Sequence, residues 1–84
     1  MYNYQSERPF LFTDEGQRKL LQVRDHVAIL LKTAGAIRMQ EAVSKCTGSS
    51  WESLACVDRL VELGEIVEIP LENCAGQHRV FIRS

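Results

Sequence analysis

Residues 48–69 read GSSWESLACVDRLVELGEIVEI, and the change of period at Gly64 decides the fold. Before Gly64, Leu54, Val57, Leu60 and Val61 recur at helical spacing and predict one buried face. Ser49 is placed to cap that helix, with Glu52 three residues on to complete a capping box. Gly64 suits the left-handed residue that closes a helix. From Ile66 the period drops to two, which predicts a strand beginning directly after the helix.

Upstream, residues 39–46 predict a second, shorter helix with Ala42 and Val43 turned inward, broken by Thr47 and Gly48. Before it lies a long helix. Thr13 can cap its first turn, Asp14 and Glu15 suit the positive end of its dipole, and Gly35 ends it. Leu20, Val23, Val27, Leu30, Leu31 and Ala34 form its apolar face. Downstream, residues 66–71 and 78–83 read as two strands of an antiparallel hairpin around an Asn- and Gly-containing loop. Such a hairpin must pack on the helices to persist. Residues 1–12 alternate Tyr2, Tyr4, Phe10 and Phe12 with polar or small positions around Pro9, which predicts an extended arm. The arm either docks on its own domain, residues 13–84, or pairs with a second chain as an edge strand.

Composition bounds the rest. A chain of 84 residues, 45% hydrophobic and 25% charged, is one small globular domain. Its net charge of -1 lacks the basic excess that phosphate contacts favour. Three widely spaced cysteines, Cys46, Cys56 and Cys74, are expected as free thiols of a cytoplasmic protein, and no apolar run is long enough to span a membrane. Cys46 and Cys56 fall where helix faces turn inward or half inward. Cys74 and His78 alone are too few ligands for a metal site, so none is expected. No phosphate-binding loop, nucleophile elbow or His-paired carboxylates are present, so neither catalysis nor a cofactor is expected.

The order helix, helix, turn, helix, hairpin resembles the winged helix-turn-helix superfamily, above all over residues 36–69, AIRMQEAVSKCTGSSWESLACVDRLVELGEIVEI. The resemblance implies an α+β winged helix domain of three helices and a two-stranded antiparallel wing. It makes the third helix the counterpart of a recognition helix, with Ser49, Ser50, Trp51, Glu52, Ala55, Cys56, Arg59 and Glu62 facing outward. The wing tip would lie at residues 73–77.

Two functions are compatible with these residues. In the first, the protein is a homodimeric, DNA-binding transcriptional regulator. Arg38, Lys45, Arg59 and Arg79 would reach phosphates or bases, and Ser49 and Ser50 would bond phosphates. In the second it is a protein-interaction module, with Tyr4, Phe10, Phe12, Trp51 and Ala55 as contact surface, because Trp is a common interface anchor. Trp51 itself reads either as packing between the third and first helices or as that anchor. The fold hosts both functions, so the fold alone does not choose.

Overall fold

Thr13 caps as its position predicts. Its Oγ1 accepts from the Gly16 N–H at 3.0 Å, and the long helix α2 runs from Asp14 to Ala34 in the computed structural model, which describes residues 1–84. Ahead of it are a short helix α1, Tyr4–Glu7, and a 3-10 turn, Arg8–Phe12. After it come strand β1 (Ala36–Arg38), helix α3 (Met39–Ala42), helix α4 (Ser50–Glu62) and strand β2 (Ile66–Ile69). A 3-10 turn, Gly76–His78, and strand β3, Val80–Arg83, complete the chain. The result is an α+β domain with a three-stranded antiparallel sheet in the order β1-β3-β2.

The turn from helix α4 into β2 matches its expectation; on the helix itself Val57 and Leu60 are buried as expected, while Leu54 and Val61 are only partly buried. Gly64 adopts φ 79°, and its N–H and that of Glu65 bond back to the Val61 and Leu60 carbonyls, closing the helix in the three-residue turn, residues 63–65, that leads into the strand. An L side chain is strained at that φ. The Ser49 cap differs: its side chain makes no cap bond. Glu52 instead pairs with Lys19 at 3.8 Å, and the Lys19 ammonium donates to the Ser49 carbonyl at 3.0 Å. Lys19 of α2 thus ties the start of α4 to the long helix, and no side chain caps the first-turn N–H groups.

Three other expectations are corrected. The predicted second helix stops at Ala42, because bonds from Ser44 to Glu41 and from Cys46 to Val43 span three residues and tighten the chain into turns. Residues 36–38 are a third strand, pairing Ile37 with Phe81 across β3. The hairpin strands are shorter than predicted, since β2 ends before Pro70, which has no N–H for the ladder.

The amino-terminal arm is helical rather than extended. Asn3 Oδ1 caps α1 by accepting from the Ser6 N–H at 3.2 Å, and Pro9 fits the first turn of the 3-10 segment. The segment lies on its own domain, against α4 and α2, and Leu11 is 0% exposed. Gly16 is required there: a Cβ at this position would stand 1.9 Å from the Phe10 carbonyl oxygen.

The core joins Leu20, Val23, Val27 and Leu31 of α2 to Ala55, Cys56, Val57 and Leu60 of α4. Ile37, Ile66 and Phe81 close it from the inner face of the sheet. The outer sheet face carries Ala36, Val67, Ile69, Val80 and Ile82 with Arg38, more apolar than a solvated antiparallel face usually is. No helix is long and apolar enough to cross a membrane.

Candidate functional site on the outer face of helix α4

Helical geometry puts Trp51, Leu54, Asp58 and Glu62 on one stripe of α4, each three or four residues from the next. The two ends of the stripe differ. At the amino end, Trp51 is 43% exposed and Leu54 half-buried. At the carboxyl end, the amino-terminal segment lies across Asp58 and Glu62.

The first contact is around Asp58. The Tyr2 hydroxyl donates to Asp58 Oδ2 at 2.6 Å. Arg79 donates to Asp58 Oδ1 at 2.7 Å and to Glu68 Oε1 at 2.7 Å, and its Nε reaches Glu68 Oε2 at 3.1 Å. The guanidinium also lies 5.2 Å from the Phe81 ring centroid. Burial and the neighbouring Asp58 push the Tyr2 phenol well above its ordinary range, so it stays protonated and donates. Hydrogen bonds to Glu68 and Asp58 hold Arg79 charged.

The second contact is around Glu62. It accepts from the Tyr4 hydroxyl at 2.7 Å, from Arg8 Nε at 3.1 Å and from Arg59 Nη1 at 2.6 Å. Donation by Tyr4 and Arg59 lowers the Glu62 carboxyl to about 2, while burial and the bond to Glu62 push Tyr4 up to about 12. The Arg8 and Arg59 guanidinium carbons lie 5.0 and 5.2 Å from the Phe12 ring centroid. Arg59 Nε is buried without a partner, a donor that the packing of Phe12 and the segment leaves unsatisfied.

Beside the amino end of the stripe is a groove of about 310 Å³. Tyr2, Met39, Val43 and Leu54 give it an apolar lining, and Gln40, Gln77 and Arg79 add polar groups. A wider groove of about 750 Å³ runs between α2 and the start of α4, lined by Arg18, Lys19 and Lys45 together with Glu15 and Glu52. His26, on its wall, lies 3.1 Å from the Glu41 carbonyl and ties α2 to α3.

The predicted site residues therefore divide. Arg38, Lys45, Ser49 and Ser50 are exposed. The Arg38 N–H donates to Glu41 Oε1 at 3.0 Å, and its guanidinium is 3.5 Å from His78 Nδ1 near the hairpin loop. Arg59 and Arg79 are held in ion pairs, with side chains 19% and 20% exposed. Of the proposed contact residues, Tyr4 and Phe10 are half-buried in cis, and Phe12 is 55% exposed beneath its two arginines. Ala55 is corrected: it is 0% exposed, because it shares a stripe with Arg59 and Glu62 that the amino-terminal segment covers. Cys56, outward by the recognition-helix resemblance but inward or half inward by helix periodicity, is fully buried, and burial pushes its thiol up to about 11.

Tyr2, Asp58 and Glu68 were missed as site residues. Only the Arg59–Glu62 pair, at three-residue spacing, carried a local signal. All three cysteines are free thiols, and no three His, Cys, Asp or Glu side chains are grouped to hold a metal ion. No family model, characterised protein or solved structure matches this chain.

Proposed function

We propose that the chain is a winged helix-type domain working as a protein-interaction module, which docks a partner segment in the groove lined by Met39, Val43 and Leu54, with Trp51 one helical turn from Leu54 on the same stripe. Helix α4 holds the place of a recognition helix, and β2 and β3 that of the wing. One observation carries the choice of ligand. The stripe presents a half-exposed indole and a leucine, while Arg59 and Arg79 are committed to Glu62, Asp58 and Glu68. A groove with an apolar lining and polar groups, with an exposed indole one turn away on the same helix, suits a peptide better than a phosphate backbone. The apolar outer sheet face is the other exposed surface of this kind, but neither groove described above opens on it.

A DNA-binding function draws support from a separate observation. Lys45, Ser49 and Ser50 are exposed around the amino end of α4, with Arg38 exposed at the end of β1. In that case a homodimer would double a small phosphate footprint. Titrating labelled mixed-sequence duplex DNA at low salt separates the two. The interaction module gives no saturable binding at micromolar protein. Binding that falls steeply with salt and is lost in Arg38→Ala/Lys45→Ala establishes the DNA function instead.

A further inference from the structure

We infer that residues 1–7 are a displaceable strap that occupies the α4 docking face in cis, and that the partner segment which replaces them carries tyrosines. This rests on the protein-interaction function proposed above.

The amino-terminal segment has two parts of different strength. Residues 8–12 are rooted: Leu11 is fully buried, Gly16 packs against the Phe10 carbonyl, and Gln17 donates to the Leu11 carbonyl. Residues 1–7 have no fully buried side chain. Helix α1 has four residues, too few to persist by itself, so tertiary contacts alone hold it. Its polar anchors on α4 are two phenol hydroxyls, from Tyr2 to Asp58 and from Tyr4 to Glu62. A unit held in this way opens locally at far lower cost than the whole domain.

The strap and the groove share one surface. Tyr2 lines the groove together with Leu54, and Leu54, Asp58 and Glu62 continue along the same stripe. With residues 1–7 lifted, the groove therefore runs on past Leu54 to both carboxylates. Arg79 stays on Asp58, and Arg8 and Arg59 stay on Glu62, so the exposed face is close to charge-neutral. Each carboxylate then lacks one O–H donor, and the apolar surface under two rings is bare. The matching occupant is a segment with aromatic rings tipped by donors, hence tyrosines, followed by an apolar side chain for the groove between Val43 and Leu54. A lysine- or arginine-rich segment would add surplus charge to a balanced face. The strap has a tethered advantage equivalent to a millimolar effective concentration. The partner overcomes it by filling the groove as well.

The test is an NMR titration of the full chain with two synthetic probes, the peptide MYNYQSE and its phenylalanine counterpart MFNFQSE. Wild type is compared with Tyr2→Phe/Tyr4→Phe, which removes both hydroxyl anchors and keeps the rings. Amide exchange over residues 14–34 verifies that the variant is folded. Asn3→Ala, which removes the α1 cap, serves as a second loosened variant should the first fail to fold. MYNYQSE is expected to shift amides of residues 54–62, with affinity about tenfold higher for the loosened chain than for wild type, as expected when a tethered competitor is weakened. MFNFQSE is expected to bind more weakly than MYNYQSE. Equal affinity for wild-type and loosened chains, equal affinity of the two peptides, or shifts confined to other residues would overturn the strap. Those results leave the docking function intact, whereas DNA binding in the titration above removes that function and leaves strap release measurable.

Discussion

Tyr2 and Asp58, 56 residues apart in sequence, are joined by a 2.6 Å hydrogen bond, and the same carboxylate holds Arg79 at 2.7 Å. One aspartate thus links the amino-terminal segment, α4 and the hairpin. Asp58 is 14% exposed and Arg79 20%, so the pair is only partly screened by solvent. Arg79→Ala leaves Asp58 and Glu68 facing each other without their cation. The expected loss is about 2 kcal/mol, below the full value for a buried pair because the site is partly wet. Urea unfolding measures it, and Asp58→Asn in the same chain should recover part of the loss. A loss no larger than that of an exposed ion pair would show that the network contributes little.

Glu62 gives the acid dependence. Its carboxyl falls from an ordinary 4.5 to about 2 on folding, so the folded state holds the proton less tightly than the unfolded chain. The associated stability is fully present above pH 4.5 and is lost as pH falls toward 2. Glu62→Gln should flatten this part of the pH–stability curve, and Tyr4→Phe should flatten it less. An unchanged acid limb in Glu62→Gln places the acid-sensitive group elsewhere.

Gly16→Ala tests how the amino-terminal segment is rooted. The added methyl meets the Phe10 carbonyl at 1.9 Å, so backbone has to move and the contact of Leu11 with the core loosens. Helix propensity alone would make this substitution favourable by up to about 1 kcal/mol. The expected outcome has the opposite sign, a loss of about 2–3 kcal/mol typical of overpacking. Thermal unfolding decides it.

Trp51 is the only tryptophan, so its fluorescence reports one position. At 43% exposure it should emit as a partly solvated indole and be quenched by acrylamide in the folded state. Trp51→Ala should cost less than the 3–5 kcal/mol, roughly, of emptying a core site. A blue-shifted, quench-resistant emission with a large stability loss would make Trp51 a core residue and remove the anchor.

The parts of the fold legible in sequence are those written locally. Thr13, the stripe Leu20-Val23-Val27-Leu31, and Gly64 between helix and strand each rest on residues within about three helical turns of one another. The rest depends on distant partners. Alternating aromatics in residues 1–12 read as extended because nothing nearby reveals that Tyr2 and Tyr4 find carboxylates on α4. Strand β1 is three residues long and exists through its pairing with β3. Ala55 is buried because the amino-terminal segment lies over its stripe, and Arg79 is withheld from solvent by Asp58, 21 residues away. The candidate site was legible in its residues, Trp51 and Arg59 above all, but not in which of them the fold leaves free.

The most direct test of a protein-docking face on α4 is photo-cross-linking from position 51, using a photoreactive phenylalanine in place of Trp51 in the source cells. The same substitution at Lys32, exposed on α2, serves as control. A docking face on α4 gives a discrete protein adduct from position 51, absent from position 32 and lost when Leu54→Asp is added. A nuclease-sensitive adduct at position 51, or adducts of equal yield from both positions, would contradict it.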